Sequence, residues 1–445
     1  MKVYSFPRGG LLYDDPTAPS ADSGSVSFLP SILVIPLEQY PEGKAFPVVS
    51  PGDTVHEGML IGRANGRGSA NVHATVPGKV LRIVEWKGHE GQVNRGVVIR
   101  MDGSFDILGR NEEIASVDDL NFSGLIKILS DCGIVEMEGT GRPVAEILTS
   151  FHESAHKQTL VVRCVFDDPW LVADYVLLKD RLQAVVEGSF FIAKANKKIK
   201  HILFAVSQRE KKIGQALLNA AVELGVTAQD IPFSMVLTGS RYPQRNDREL
   251  EIALRNYGEK EGIDLGKLLV FGPATLAAVY DAVCYRRPIL ERYVAVGGSA
   301  VCNPQVMRVR IGKRIRDLFE ECGGFKVIPD RIAVGSPVFG KTVIELDEPV
   351  AKTCYAVLAM LKNQIGNYPA RNCISCGECR AVCPVGLDPE ELYKRKTHDN
   401  PTVVPESDEC HGCGCCEVVC PSHLPLSDVI TGTVKTVSSV EAGIA

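Results

Sequence analysis

No run of 18 or more apolar residues occurs anywhere in the 445-residue chain, so nothing in it reads as a helix long enough to cross a bilayer. The opening MKVYSFPRGG lacks the apolar core of a secretory signal, and the chain is expected to stay in a reducing compartment. Positive charge is not in excess either. A formal net charge of −5 gives no reason to expect nucleic acid as a partner. What remains is an ordinary globular composition, 45% hydrophobic and 23% charged, in a chain too long for one core. Three or four domains are expected. The residue that stands out is cysteine, at 15, and unexported thiols stay free to bind metal.

Eight of those cysteines form two copies of one run. The first reads Cys373-x2-Cys376-x2-Cys379-x3-Cys383-Pro384, and the second, 37 residues later, Cys410-x2-Cys413-x2-Cys416-x3-Cys420-Pro421. This is the spacing of bacterial ferredoxins that hold [4Fe–4S] cubanes. Three thiolates on a tight turn reach three irons of one cluster, while the fourth lies past a short helical turn and points to the neighbouring cluster. The expected ligand sets are therefore crossed: Cys373, Cys376, Cys379 and Cys420 for one, and Cys410, Cys413, Cys416 and Cys383 for the other. Structural zinc favours one closed site made of two separated pairs, and a disulfide framework needs an oxidising compartment. Neither fits two proline-terminated runs. Cys415 is adjacent to Cys416 but keeps neither gap, and reads as a bystander. Cys132, Cys164, Cys284, Cys302, Cys322 and Cys354 are scattered singly and read mostly as small core residues. His411 and His423 stand near ligands but are not needed as such, and Arg380 reads as a solvated surface residue.

The rest of the chain changes pattern along its length. Alternation in Ser31–Pro36 and turn signals at Pro51-Gly52-Asp53, Asn65-Gly66 and Pro77-Gly78 predict a compact β sandwich in the first hundred or so residues. From about Leu120 to Arg287 strands alternate with helices: strands at 200–206 and 268–271, helices at 213–224 and 274–283. That predicts a Rossmann-like α/β domain. Two strands, 292–298 and 307–312, and a helix from Ile315 to the glycines at 323–324 follow. A helix is expected over Ala351–Leu361, opening the cysteine region, and a loose tail after about Thr431.

The phrases Val49–Ile61 and Val72–Val80 resemble the biotinyl/lipoyl barrel-sandwich family, although Lys79 follows the turn glycine and no lysine sits at the tip, so a structural role is expected. The stretch 292–340 resembles a β-grasp module of the soluble-ligand-binding (SLBB) type. Taken in order, the modules resemble the C subunit of the Rnf electron-transport complex. Local marks agree: Gly9-Gly10, the loop Pro51–Gly58, Tyr242-Pro243-Gln244, and Pro288–Arg292 leading into Val294–Gly298. The resemblance implies a multidomain α/β chain: barrel-sandwich hybrid at 1–112, Rossmann-like domain related to the complex I flavoprotein at 113–288, β-grasp at 289–348, helical double-cluster ferredoxin-like domain at 349–430, and a tail at 431–445.

Members of that family are thought to take electrons from NADH through FMN, and this chain departs from them there. Their loop Gly-Ile-Val-Gly-Leu-Gly-Gly-Ala-Gly-Phe-Pro-Thr is matched by Gly133-Ile-Val-Glu-Met-Glu-Gly-Thr-Gly-Arg-Pro-Val144, with Glu136 and Glu138 at two glycine positions. Carboxylates there repel phosphate and fill space that glycine leaves open. Their Asn-Gly-Ala-Glu-Cys-Glu-Pro is matched by Arg163–Pro169, with Phe166 at the first acidic position, and Ser207–Lys211 replaces a further signature. Gly139, Gly141 and Asp168 are what is left of a degenerate FMN/NADH site. The expectation is one subunit of a membrane-associated ion-translocating complex, peripheral on the cytoplasmic side of the inner membrane. It relays electrons through two [4Fe–4S] clusters without a working FMN or NADH site of its own. Partners are the other subunits and, as donor or acceptor, a ferredoxin, a flavodoxin or NADH. A soluble flavin-dependent reductase similar to cobalamin reductase, or a redox scaffold, are the alternatives.

Overall fold

The computed structural model describes residues 2–22, 24–40, 43–87, 93–103, 120–153, 157–224, 231–338, 340–362, 369–397 and 405–432. The sandwich is built from two four-stranded sheets. One orders Ile32–Pro36, Val93–Met101, Gly78–Lys87 and Thr54–Val55, and the other orders Glu38–Tyr40, Gly43–Pro47, Leu60–Ala64 and Val72–His73. Alternation places Leu33, Ile35, Val97 and Ile99 on the shared core with Val55, Ile61 and Val76, as a sheet with one solvated face requires. Two strands in the first thirty residues pair with other sheets. Val3–Tyr4 pairs in parallel with Phe233–Thr238, and Gly24–Val26 pairs with Gln305–Arg310. A sandwich counted from residue 1 therefore includes two strands that belong to other sheets.

The α/β region is an open parallel sheet ordered Val3–Tyr4, Phe233–Thr238, Ile199–Ser207, Gln158–Cys164, Lys267–Phe271. Its central strands are apolar on both faces. Leu160, Val162 and Phe204 pack against helices Leu182–Ala195, Lys211–Glu223 and Pro273–Tyr285. Val161, Leu203 and Ala205 face helix Asp247–Glu261 through Leu250, Ala253 and Leu254. In chain order the sheet grows outward from Gln158–Cys164 to one side, then crosses to place Lys267–Phe271 on the other. The reversal lies between those two strands, and ligands of open α/β sheets bind at the carboxyl ends of strands at such a point.

The next sheet corrects an expectation. Residues Ala356–Met360, expected within a helix over 351–361, form a strand between Arg331–Val334 and Glu291–Gly297. All five residues are buried. A short apolar run carries no period that separates a central strand from a buried helix, and Ala, Leu and Met favour helix only where packing does not decide. This strand of the six-stranded sheet lies beyond residue 349, where the cysteine region was expected to open. The six-stranded sheet is locked to the α/β region by Arg292, whose side chain is wholly buried and donates to Asp174 at 2.6 Å. Beyond it, the cysteine runs lie among short helices Glu378–Val382, Pro389–Thr397, Cys415–Val418 and Leu426–Thr431, the first and third of which contain cysteines. Most of the expected tail lies outside the described residues.

Candidate electron-transfer site

The two cysteine runs share a local design. In each, a left-handed glycine, Gly377 or Gly414, precedes a helix of four or five residues that carries the third cysteine. The helices Glu378–Val382 and Cys415–Val418 pack on one another, so each run brings its last cysteine to the other. Cys383 lines one cavity with Cys410, Cys413, Cys415 and Cys416, closed by Leu387, Pro389 and Ile430. On the other side Tyr393 joins Cys420 and Cys373: burial first, then those two thiols, raise its phenol above the ordinary value. Cys383 thus neighbours the second run, and Cys420 neighbours Cys373. Backbone N–H groups of Leu387 and Ser375 donate to the sulfurs of Cys383 and Cys373 at 3.3 and 3.4 Å. Among the described residues no three ligand-type side chains converge closely enough to hold a single metal ion, whereas a cubane holds its four thiolates apart by the width of the cluster.

The pair is asymmetric. Cys373 and Cys376 are exposed, with Ile374 between them 67% exposed, while Cys410, Cys413 and Cys416 are half-buried or buried. The second run is fastened to the α/β domain. Tyr242 donates its hydroxyl to the Cys413 carbonyl at 2.8 Å, and Arg248 donates to the Glu409 carbonyl at 2.8 Å. His411 Nε2 lies 2.9 Å from buried Glu249, whose carboxylate holds the imidazole above its usual range. Gly10 donates to Val382 at 2.9 Å. Gly9, at φ +64°, lies so close that a Cβ would fall 2.5 Å from the Val382 carbonyl oxygen. Thus Gly9-Gly10 and Tyr242, noticed in the sequence only as marks, are the clamp on the cluster region. Arg380 is a surface residue paired with Asp388 at 3.0 Å. Cys415 is buried beside Cys413 and hydrogen-bonded to it.

A second site stands at the sheet's reversal point. The loop from Gly133 to Val144 lies beside the carboxyl ends of Gln158–Cys164 and Lys267–Phe271, on a cleft of about 620 Å³ that Gly139, Arg142, Arg163, Arg245 and His411 help to line. Glu136 and Glu138 are buried, 6% and 3% exposed, and turned into the loop. Glu138 accepts the backbone N–H of Thr275 at 2.9 Å and the Thr275 hydroxyl, in the first turn of helix Pro273–Tyr285. Glu136 accepts the N–H of Glu138 at 3.1 Å, the N–H of Thr140 at 2.6 Å and its hydroxyl at 2.9 Å. Arg163, bonded to Asp247 at 2.7 Å, stands 3.8 Å from Glu136. Burial, then the charge of Glu136, raises the Glu138 carboxyl.

Of the three residues left from the degenerate signature, Gly139 is on the cleft, and Gly141 donates to the Glu136 carbonyl at 3.1 Å within the loop. Asp168 is not among the lining residues; it is buried and caps the turn Pro169–Leu171 through the Trp170 N–H at 3.0 Å. The contacts that sequence reasoning missed are Thr275 and Arg245. Arg245 donates to the Glu138 carbonyl at 3.1 Å, and its signal was only that it follows the Tyr242–Gln244 mark. FMN carries a phosphate, and the backbone donors suited to hold one here already have carboxylates on them. The loop does not fit that group.

A β sandwich, an open sheet with a cofactor-type loop and paired four-cysteine runs define a modular iron–sulfur electron-transfer protein. Residues 8–104 match the RnfC barrel sandwich hybrid domain, 129–281 the Nuo51 FMN-binding domain and 366–421 a 4Fe-4S dicluster domain. The C subunit of the Na(+)-translocating ferredoxin:NAD(+) oxidoreductase complex of Acetobacterium woodii is 27% identical over 81% of this chain and 80% of its own length. The C subunit of the ion-translocating oxidoreductase complex of Rhodobacter capsulatus is 29% identical over 82% of this chain and 70% of its own. The C subunit of the proton-translocating ferredoxin:NAD(+) oxidoreductase complex of Clostridium ljungdahlii is 27% identical over 86% and 83%. The chain resembles the RnfC family along most of its length, and no helix among its described residues is long and apolar enough to cross a membrane.

Proposed function

We propose that the chain is the electron-relay C subunit of an Rnf-type ion-translocating oxidoreductase complex, and that it works through two [4Fe–4S] clusters without an FMN or NADH site of its own. Cys373, Cys376, Cys379 and Cys420 hold one cluster; Cys410, Cys413, Cys416 and Cys383 hold the other. The observation that carries the reading is Cys383 in one cavity with Cys410, Cys413, Cys415 and Cys416, of which only Cys415 falls outside the repeated spacing. A bound cubane supplies one-electron chemistry with no proton required of the protein. The chain's own part is to fix the thiolates on paired short helices and to aim backbone N–H groups at sulfur, which stabilises added negative charge. Tyr242 and Gly9-Gly10 hold the runs against the α/β domain. The exposed Cys373–Cys376 turn is where a soluble donor or acceptor approaches, a ferredoxin, a flavodoxin or a flavin of a neighbouring subunit. The six-stranded sheet is read as the β-grasp (SLBB) module, and the chain as peripheral on the cytoplasmic side of the inner membrane, held by other subunits. The relatives differ in the ion their names give, Na(+) or proton.

Anaerobically purified protein should contain about eight irons and about eight sulfides. In Cys420→Ala the electron paramagnetic resonance signal of the cluster on Cys373, Cys376 and Cys379 should be lost or altered, with iron falling towards about four. A change confined to the other cluster would refute the crossed assignment, and zinc without iron would sink the relay. A soluble flavin-dependent reductase would need an open flavin cradle, which the carboxylates in the loop oppose.

A further inference from the structure

We infer that Glu136 and Glu138 are a built-in plug: the chain's own carboxylates occupy the anion cradle of its α/β domain, and removing them reopens a phosphate site. This rests on the reading of the chain as a relay without its own flavin, and adds the cause.

Three features coincide at one place. The first is topological: the loop lies at the reversal of strand order, beside the carboxyl ends of Gln158–Cys164 and Lys267–Phe271, where open α/β sheets take their ligands. The second is the donor set. The N–H groups of Glu138 and Thr140 donate to Glu136 and that of Thr275 to Glu138, and Thr275 lies in the first turn of a 13-residue helix, Pro273–Tyr285. Such donors with a helix dipole behind them suit an anion. The third is that each of these donors already has a carboxylate oxygen. The fit is close: a Cβ on Gly272, the residue before the helix, would fall 2.5 Å from the Glu138 side chain. Gly272 thus leaves the strand end bare, as for a ligand, and the carboxylate fills the gap. Two buried carboxylates near one another are costly unless bonded, and here they are bonded to these donors and flanked by Arg163. The cleft in front remains, at about 620 Å³, so what is closed is the anion end and not the whole crevice.

The test is flavin titration of the full, cluster-loaded chain. Wild type should show no saturable FMN binding. Glu136→Gly/Glu138→Gly, and Glu138→Ala as the smaller lesion, should bind FMN at least about tenfold more tightly than riboflavin, since only FMN brings the phosphate that charge-assisted donors reward. Inorganic phosphate should compete. Glu138→Gln, which keeps the bulk, should stay closed. Variants that keep their iron and fold but bind no FMN overturn the plug and leave the relay standing. Equal gain for riboflavin also overturns it, because the new affinity then lies elsewhere. Micromolar FMN binding by wild type overturns the reading of a relay without flavin, and the plug with it. Should the variants not fold, amide hydrogen exchange of wild type decides. The N–H groups of Glu138, Thr140 and Thr275 should be protected and indifferent to added FMN; fast exchange that FMN slows overturns the proposal.

Discussion

The cysteine loops and the loop from Gly133 to Val144 are built alike and used oppositely. Both are short glycine-containing turns that present backbone N–H groups next to a short or long helix. In the cysteine loops the groups face thiols, which stay available to a ligand from outside. In the other loop they face carboxylates of the same chain, and the donors are satisfied before any ligand arrives. The difference teaches that loop shape is not enough to infer a cofactor. Gly139 and Gly141 survive, and the backbone still turns, yet the loop's chemistry is closed by two side chains. A site is available only where its strongest hydrogen-bonding groups lack partners of their own, because a buried donor that is already paired gains little from a second acceptor.

If the closed loop rests on buried acid groups, its surroundings should respond to pH in a way the cysteine loops do not. Asp167, buried beside the loop's partner strand, accepts the Arg245 N–H at 2.9 Å, and burial pushes its carboxyl up to about 7. The sign follows from that direction. Below the unfolded value of 3.8 both states are protonated and the contribution is whole. As pH rises towards about 7 the unfolded chain gives up the proton first, so stability falls. Asp167→Asn should remove this slope, which amounts to a few kcal/mol, on the order of 1.4 kcal/mol for each pH unit between the two values. Denaturant midpoints between pH 5 and 8, roughly the upper part of that window, measure it. An unchanged slope in the variant would break the claim that this side of the molecule is held by a neutral buried acid.

A smaller effect sharpens the comparison at the plug itself. The Thr275 hydroxyl donates to Glu138 and accepts the Met137 N–H at 2.9 Å. Thr275→Val preserves shape but strands both partners in a buried site. The loss should be roughly 1–3 kcal/mol in unfolding free energy, with iron content unchanged. A neutral outcome would mean that the carboxylate is not held where the helix begins.

Much of this was legible from residues alone, for physical reasons. Ligand cysteines declare themselves because a cubane imposes its geometry on spacing, and Gly9-Gly10 and Tyr242 stood out although their work as a clamp did not. The central strand Ile199–Ser207 and the edge strand Lys267–Phe271 were readable from apolar runs bounded by helices, whereas Gln158–Cys164 and Phe233–Thr238 were not. Ala356–Met360 was not, since burial on both faces erases the period that would identify a strand. Nor was Val3–Tyr4 as an edge of a sheet whose next strand is more than 200 residues away: nothing local encodes a pairing that distant. Glu136 and Glu138 were legible as obstacles to phosphate. Their actual role depends on Thr275, Arg163 and Arg245, which only the fold brings to them.

The smallest effect is expected at Cys415, and it tests how selective the open loops are. Its sulfur is buried beside Cys413 and hydrogen-bonded to it, so proximity alone would permit it to compete for iron. Both Cys415 and Cys416 line the cavity with Cys383, Cys410 and Cys413, but only Cys416 keeps the x2 and x3 gaps that the first run also uses. Cys415 leads the short helix Cys415–Val418, and its place is therefore that of a donor towards a ligand sulfur. Cys415→Ser keeps a donor of similar size, and about eight irons should remain. A modest shift in the potential or line shape of the cluster on Cys410, Cys413 and Cys416 is expected, because hydrogen bonds to sulfur tune potential. Loss of about four irons would instead make Cys415 a ligand, and would undo the symmetry between the two runs from which the crossed assignment was drawn.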